Sequence, residues 1–228
     1  MIEAFIIRLK GHELSERLSR ECINQAKIFN ADVKTFDAIW GKDYEYHLQH
    51  LNLKLMEKRK KTMSLGHFGN FFSHYYLWLH CLEIQQPLLI LEHDGYMIRQ
   101  LPENICDHFT DILKLDRFSP YNSNYVDKIN QSLNMPVKIE NSIKDIHKKK
   151  KNGWYTTGSY GYVIKPQGAK KLKKFIKRNG FTSTDNLLAD GILDVSITSS
   201  SVVRLHPLFE EGIHKYSTIP EMEMPNNE

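Results

Sequence analysis

Short apolar runs alternate with longer segments of helical periodicity in the first half of the chain, and this alternation constrains the fold more than any other feature. Ile2–Arg8 is a short run rich in Ile and Phe, and Val33–Ile39 is similar, so both are predicted strands. Residues 12–27 and 43–59 carry apolar side chains at helical spacing. A strand–helix–strand–helix order predicts an α/β domain with a mostly parallel central sheet flanked by helices.

The clearest predicted strand is Leu88–Leu91, which follows a dense apolar helix predicted over residues 70–86 and runs into Glu92, His93 and Asp94. Residues two apart on a strand share a face, so Glu92 and Asp94 are expected to converge while His93 points away. Open α/β sheets bind ligands at this carboxyl edge. Two carboxylates there suit Mg²⁺ or Mn²⁺, which take further ligands from water and phosphate. The alternative is a surface turn with solvated acids.

The second half of the chain gives a less regular pattern. Residues 119–153 show no readable periodicity and predict a flexible excursion or lid. The remaining predicted strands are 113–118, 160–164 and 202–205, and the remaining predicted helices are 103–112, 167–178 and 185–192. Tyr160 and Tyr162 are two apart on one predicted strand and are therefore expected to share a face.

Charge and cysteine content exclude several classes of protein. The chain has 228 residues and a net charge of +4, from 31 basic and 27 acidic side chains, which is too small an excess to indicate a nucleic-acid binder. Three widely spaced cysteines indicate neither a disulfide framework nor a zinc site. No apolar run is long enough to span a bilayer, and the first residues lack a signal-peptide pattern. We expect a cytoplasmic protein, with peripheral contact to an anionic membrane through Lys148–Lys151 and the lysine-rich helix 167–178 as an alternative to plain solvated faces.

Five stretches of the chain follow the order of motifs in one known family. They are Ile6–Arg17, Phe36–Gly41 (F-x-A-x-x-G), Gly66–His74 (G-x-x-G-x-x-x-S-H), Leu91–Asp94 (L-E-D-D in the family) and Gly158–Leu172 (G-x-x-x-Y-x-I-x-x-x-G-A-x-x-L). Together they resemble glycosyltransferase family 25, the group of lipooligosaccharide galactosyltransferases and the collagen galactosyltransferase domain. The resemblance spans about residues 2–206, so we expect a single GT-A-like domain over residues 1–215, followed by a polar tail, 216–228.

This resemblance implies an inverting glycosyltransferase that uses a UDP-sugar, such as UDP-galactose, a divalent cation (Mn²⁺ or Mg²⁺) and a glycan or lipid-linked glycan acceptor. It implies site roles for seven residues: donor contacts at Arg8, Arg17, Ser73 and His74, metal and donor binding at Glu92 and Asp94, and a catalytic base at Asp185. Each has a structural alternative. The arginines fit ordinary surface positions, Ser73 and Asp185 fit helix caps, and His74 fits a hydrogen-bonded core histidine.

One departure from the family motif leaves a second function open. His93 stands where the family usually has an acid. A nucleotide-sugar-binding homologue with weakened catalysis is therefore an alternative to a full enzyme. A basic nucleic-acid-binding module is a third, less favoured interpretation, because no RNA- or DNA-binding motif accompanies the basic residues.

Overall fold

The computed structural model describes residues 2–57, 63–118, 124–140, 158–188 and 191–209. Its strands are β1 (Glu3–Arg8), β2 (Val33–Asp37), β3 (Leu88–Glu92), β4 (Gly95–Met97), β5 (Ile112–Lys114), β6 (Ile139–Glu140), β7 (Gly161–Ile164), β8 (Val195–Thr198) and β9 (Val203–Leu205). Seven of them form one sheet in the order β2-β1-β3-β7-β5-β8-β6, and β4 pairs with β9 in a separate ribbon. Only β7 and β6 run against the other five strands. The predicted α/β class, with a mostly parallel central sheet flanked by helices, is therefore confirmed.

The strands are short, and six of those in the described residues lie at or near the predicted apolar runs: β1, β2, β3, β5, β7 and β9. The helices are α1 (Glu13–Ile28), α2 (Tyr44–Leu51), α3 (Leu65–Ile84), α4 (Tyr125–Ser132), α5 (Pro166–Asn179) and α6 (Thr184–Leu187).

Two apolar layers cover the two faces of the sheet. On one face, α3 and α5 pack on Ile90, Tyr162 and Ile112. On the other face, α1, α4 and the β4–β9 ribbon pack on side chains such as Leu91 and Val163. The alternation along β3 sends Leu88, Ile90 and Glu92 to the α3 face, which decides where the candidate site lies.

Helix α3 lies unusually close to the loop after β2 because two glycines remove the side chains between them. A Cβ on Gly69 would lie 2.6 Å from the Ile39 carbonyl oxygen, and one on Gly41 would lie 1.8 Å from the Leu65 carbonyl oxygen. Ser64 caps the helix, and the His67 side chain completes a capping box. The two glycine motifs noted in the sequence thus fix α3 against the edge of the sheet.

Some local predictions are wrong. The helix predicted over residues 43–59 ends at Leu51, because Asn52 takes a left-handed conformation with φ of 48°. Tyr160 and Tyr162 do not share a face, because β7 begins only at Gly161 and Tyr160 belongs to the opposite core layer. Strands β4, β6 and β8 were not predicted at all.

Several sequence predictions fall partly or wholly outside the described residues. These are the lysine run 148–151, the polar tail 216–228 and most of the predicted lid, of which the described residues 124–140 contain α4 and β6. Within the described part of the chain, no helix combines the length and apolar character that crossing a membrane requires.

Candidate active site

The carboxyl ends of β1 and β3 form a topological switch point. From β1 the chain passes through α1 to β2 on one side, and β3 lies on the other side of β1. The register pairs Ile7 with Glu92, so Arg8 and Glu92 end neighbouring parallel strands at one edge. Crevices at such reversals are where open α/β sheets bind ligands.

Glu92 ends β3 and accepts three hydrogen bonds on a single oxygen. Its Oε1 atom lies 2.9 Å from Asn70 Nδ2 and 3.1 Å from His74 Nε2, and it also accepts a bond from the Ser159 hydroxyl. Asn70 and His74 are four residues apart on α3 and therefore share the helix face that meets the sheet. The Glu92 side chain remains 19% exposed.

On the side away from Glu92, hydrogen bonds connect His74 to two further buried side chains. Its Nδ1 atom lies 2.8 Å from the Tyr162 hydroxyl, and the Trp78 indole N–H donates to the same hydroxyl at 2.8 Å. All three side chains are almost completely buried. His74 is therefore a hydrogen-bonded core histidine that reaches the site through Glu92.

Asp185 lies in the first turn of α6, beside the Glu92 cluster. The cap of that helix is Ser183, so the capping alternative for Asp185 is wrong. Asp185 Oδ1 is buried and has no hydrogen-bond partner among the described residues. The neighbouring Thr184 hydroxyl donates to Asn70 Oδ1, which ties the start of α6 to the Glu92 cluster.

A buried lysine faces the same cluster from β5. Lys114 is opposite Tyr162 in the sheet, and its Nζ donates to the Gly158 carbonyl at 2.7 Å. This bond holds the segment that supplies Ser159. Burial lowers the pKa of Lys114, and the nearby carboxylates, including Asp185 and Glu92, oppose that change.

Asp94 lies beyond the end of β3, in the two-residue turn that leads to β4. Strand alternation therefore does not by itself bring it beside Glu92. Its backbone carbonyl accepts a bond from His206 N at 2.8 Å, and the preceding His93 carbonyl accepts one from Cys22 Sγ at 3.4 Å. Asp94 Oδ1 is buried without a hydrogen-bond partner in the described part of the chain.

The other residues singled out from the sequence take different places. Arg8 is ion-paired with Asp37 at 2.6 Å at the sheet edge, and Arg17 is half-exposed and lies 3.9 Å from Glu21. Ser73 is fully buried in the middle of α3, where its hydroxyl donates to the Gly69 carbonyl and accepts from Ile39 N. Ser73 therefore does not cap a helix, and it fastens α3 to the loop after β2.

The three carboxylates, Glu92, Asp94 and Asp185, differ in how readily they ionise. Burial opposes ionisation of Glu92, but hydrogen bonds from His74 and the other two donors lower its pKa to about 2. Burial raises the pKa of Asp94 to about 6, and the nearby Glu92 charge adds to the rise. Burial also raises the pKa of Asp185. Glu92 is a stabilised anion, whereas Asp94 and Asp185 carry charge at a cost to folding.

Glu92 and Asp94 are the residues predicted from the sequence to bind a cation. Among the described residues no group of three or more His, Cys, Asp and Glu side chains could hold a metal ion. The Oε1 atom of Glu92 is already occupied by its three donors, which leaves Oε2 and the unpartnered Oδ1 of Asp94. Two such oxygens would supply only part of the shell of a Mg²⁺- or Mn²⁺-like ion, which takes its other ligands from water and phosphate oxygens.

Several site residues were not predicted from the sequence. The sequence around Asn70 and Ser159 does not indicate a site role, because each residue contacts Glu92 only in the folded protein. Lys114 could have been recognised from the sequence. A lysine between Leu113 and Leu115 in a predicted strand is expected to be buried and to need a polar or charged partner. Tyr162 lies in a predicted strand, and its hydroxyl connects it to the site through His74.

These differences predict opposite effects on stability for two conservative substitutions. At pH 7, Glu92→Gln should lower the free energy of unfolding by about 1–3 kcal/mol, because three buried donors lose a carboxylate. Asp94→Asn should cause no loss or a gain, because it removes a charge that burial disfavours. Denaturant unfolding of both variants beside the wild-type protein measures the two changes.

The pH dependence of the two effects also differs in sign. The stabilisation from ionised Glu92 is fully present above its ordinary pKa of 4.5 and is lost as the pH falls toward about 2. The cost of Asp94 is present above about 6 and disappears below its ordinary pKa of 3.8. A loss in Asp94→Asn at pH 7 as large as that in Glu92→Gln would contradict this assignment.

Comparison with known proteins identifies the family of the chain. No match was found among curated proteins. A solved structure that resembles the chain is mouse xyloside xylosyltransferase 1 in its apo form, with 9% identity, a TM-score of 0.37 and coverage of 82% of this chain and 80% of that one. The family profile described as glycosyltransferase family 25 (LPS biosynthesis protein) matches residues 1–188. The chain belongs to glycosyltransferase family 25.

Proposed function

We propose that this glycosyltransferase transfers a hexose, most simply galactose, from a UDP-sugar to a hydroxyl of a glycan or lipid-linked glycan, with inversion at the anomeric carbon. The family membership supports sugar transfer and a role in lipopolysaccharide biosynthesis. The observation that carries the finer proposal is the juxtaposition of an unpartnered, buried Asp185 oxygen with the Glu92 cluster at the switch point of the sheet.

Asp185 is the proposed catalytic base. Inverting transfer requires a group that takes the proton of the acceptor hydroxyl as its oxygen bonds to the anomeric carbon and UDP leaves. A base works best when its pKa lies near the working pH, and burial raises the pKa of Asp185 in that direction. Its Oδ1 has no partner in the described part of the protein that would compete for the proton.

Glu92 and Asp94 are the proposed donor-side carboxylates, and Arg8 and Arg17 are proposed to assist with the nucleotide. Arg8 lies closer to the switch point than Arg17 does, because Arg8 ends β1 beside β3. Glu92 Oε2 and Asp94 Oδ1 would hold Mn²⁺ or Mg²⁺, which supplies positive charge for the leaving diphosphate. Ser73 and His74 are proposed to support the donor site from within the core.

The test of the base is Asp185→Asn, which keeps the shape of the side chain but cannot accept the proton. Transfer from a UDP-sugar should fall on the order of 10²-fold or more, with UDP affinity and melting temperature retained. The matched control is Asp194→Asn, an exposed acid on the next loop, which should keep full activity. Near-normal turnover in Asp185→Asn would remove this residue from the mechanism.

The test of the cation is the affinity for UDP measured by calorimetry. Affinity should drop about tenfold or more, which is about 1.4 kcal/mol, on treatment with EDTA and in Asp94→Ala. Unchanged affinity in both cases would indicate a mechanism without a metal. UDP binding with no turnover of any UDP-sugar would favour the weakened homologue, and stabilisation by DNA or RNA oligomers in place of UDP would favour the nucleic-acid alternative.

Helix α5 is the proposed contact with an anionic membrane that carries a lipid-linked acceptor. Its exposed face has four cations without an ion-pair partner in the described part of the chain: Lys170, Lys173, Lys174 and Arg178. Basic side chains near an anionic surface each contribute about 1 kcal/mol of attraction.

The double variant Lys170→Ala/Lys174→Ala should therefore bind vesicles containing anionic lipids more weakly than the wild-type protein at low salt. The matched control is Lys27→Ala/Lys128→Ala, which removes two cations from α1 and α4 on the opposite side of the sheet. Co-sedimentation with anionic and with neutral vesicles measures both. Equal binding by the two double variants would contradict the proposed surface.

A further inference from the structure

Three buried side chains form a single hydrogen-bonded line from the core to Glu92. The Trp78 Nε1 atom lies 2.8 Å from the Tyr162 hydroxyl, which lies 2.8 Å from His74 Nδ1. His74 Nε2 then lies 3.1 Å from Glu92 Oε1. The exposed fractions of Trp78, Tyr162 and His74 are 1%, 0% and 0%, so water does not replace any of these bonds.

The indole at the start of this line fixes the direction of every bond in it. An indole N–H only donates, so the Tyr162 hydroxyl must accept from Trp78. The hydroxyl then points its own hydrogen at the one other partner it has among the described residues, which is His74 Nδ1. Nδ1 is therefore an acceptor, and the ring carries its hydrogen on Nε2, facing Glu92.

The opposite arrangement would leave a buried group without a partner. If Nδ1 carried a hydrogen, two N–H groups would point at the Tyr162 oxygen, and the hydroxyl hydrogen would have no acceptor in the described surroundings. A buried donor left in this way costs about 1–3 kcal/mol. Burial raises the pKa of Tyr162 well above its ordinary value, so the hydroxyl keeps the hydrogen that the line requires.

The consequence for Glu92 is a fixed orientation. All three of its hydrogen bonds reach Oε1, whereas Oε2 has no hydrogen-bond partner in the described part of the chain. The side chain keeps 19% of its surface exposed. One oxygen is thus anchored in the protein, and the other is left for a ligand.

We propose that Trp78 and Tyr162 are positioning residues of the donor site: they fix His74 as an Nε2–H donor, and His74 in turn holds Glu92 with Oε2 turned toward the bound nucleotide-sugar. The proposal rests on the proposed function for the identity of the ligand. It assigns His74 a role through Glu92 in place of direct contact with the donor. Asn70 and Ser159 complete the same anchor from α3 and from the segment before β7.

The variant that tests the line is Tyr162→Phe, which removes one hydroxyl and keeps the ring. Its matched control is Tyr160→Phe, which removes a buried hydroxyl two residues away in the opposite core layer. Nitrogen NMR of histidine-labelled protein reports which ring nitrogen of His74 carries hydrogen, and a His74→Gln variant identifies the signals. Steady-state kinetics with a UDP-sugar give KM and kcat for the donor.

The wild-type protein and Tyr160→Phe should both show His74 with hydrogen on Nε2. In Tyr162→Phe this single form should be lost, and donor KM should rise about 10- to 100-fold, with a smaller change in kcat. If Tyr162→Phe does not fold, Trp78→Phe removes the fixed donor from the line and should likewise yield more than one ring form.

Hydrogen on Nδ1 in the wild-type protein would overturn the proposal, as would an unchanged ring form or an unchanged donor KM in folded Tyr162→Phe. The two arms separate this proposal from the proposed function. If the wild-type protein turns over no UDP-sugar, the proposed function fails, whereas the NMR arm, which needs no substrate, still decides the direction of the line.

Discussion

The site depends on three hydrogen bonds to one carboxylate oxygen at the end of β3. Oε1 of Glu92 joins α3, through Asn70 and His74, to the segment before β7, through Ser159. These elements are far apart in sequence. Because the three donors are satisfied together, the carboxylate stays charged in a largely buried position and keeps one orientation.

In the two neighbouring acids, Asp94 and Asp185, hydrogen bonds do not offset the effect of burial on the pKa as they do in Glu92. Asp94 and Asp185 each have a buried oxygen without a partner in the described structure, and burial raises the pKa of both. Groups of this kind reduce stability, so their placement beside a stabilised anion at a switch point is typical of a site that ligands complete. Lys114, buried close to both Glu92 and Asp185, supplies a positive charge that limits this cost.

The sequence predicted the elements that carry this site better than the contacts within it. The run Leu88–Leu91 could be assigned to a buried strand because four apolar residues between Pro87 and an acid are too few for a helix. Glu92 was predicted from its place after that strand. Its donors were not, because Asn70 and Ser159 lie 22 and 67 residues away and meet it only through the packing of α3 and β7 on the sheet.

Two wrong interpretations show where the local sequence pattern does not determine the structure. Alternation was extended past the ends of strands, which placed Asp94 on β3 and Tyr160 on β7, although β3 ends at Glu92 and β7 begins at Gly161. A period of two holds only where the chain is extended and paired. The structural alternative for Ser73, a helix cap, rested on residue type alone, whereas the actual cap is Ser64, with the His67 side chain completing the capping box.

Hydrogen–deuterium exchange with and without UDP-galactose and Mn²⁺ tests the central claim, that the Glu92 cluster at the β1–β3 switch point is the nucleotide-sugar site. The account predicts slower exchange on ligand addition in peptides that cover residues 88–95 and 181–188, with little change in α4. Binding accompanied by protection elsewhere, and by none in those two segments, would contradict it.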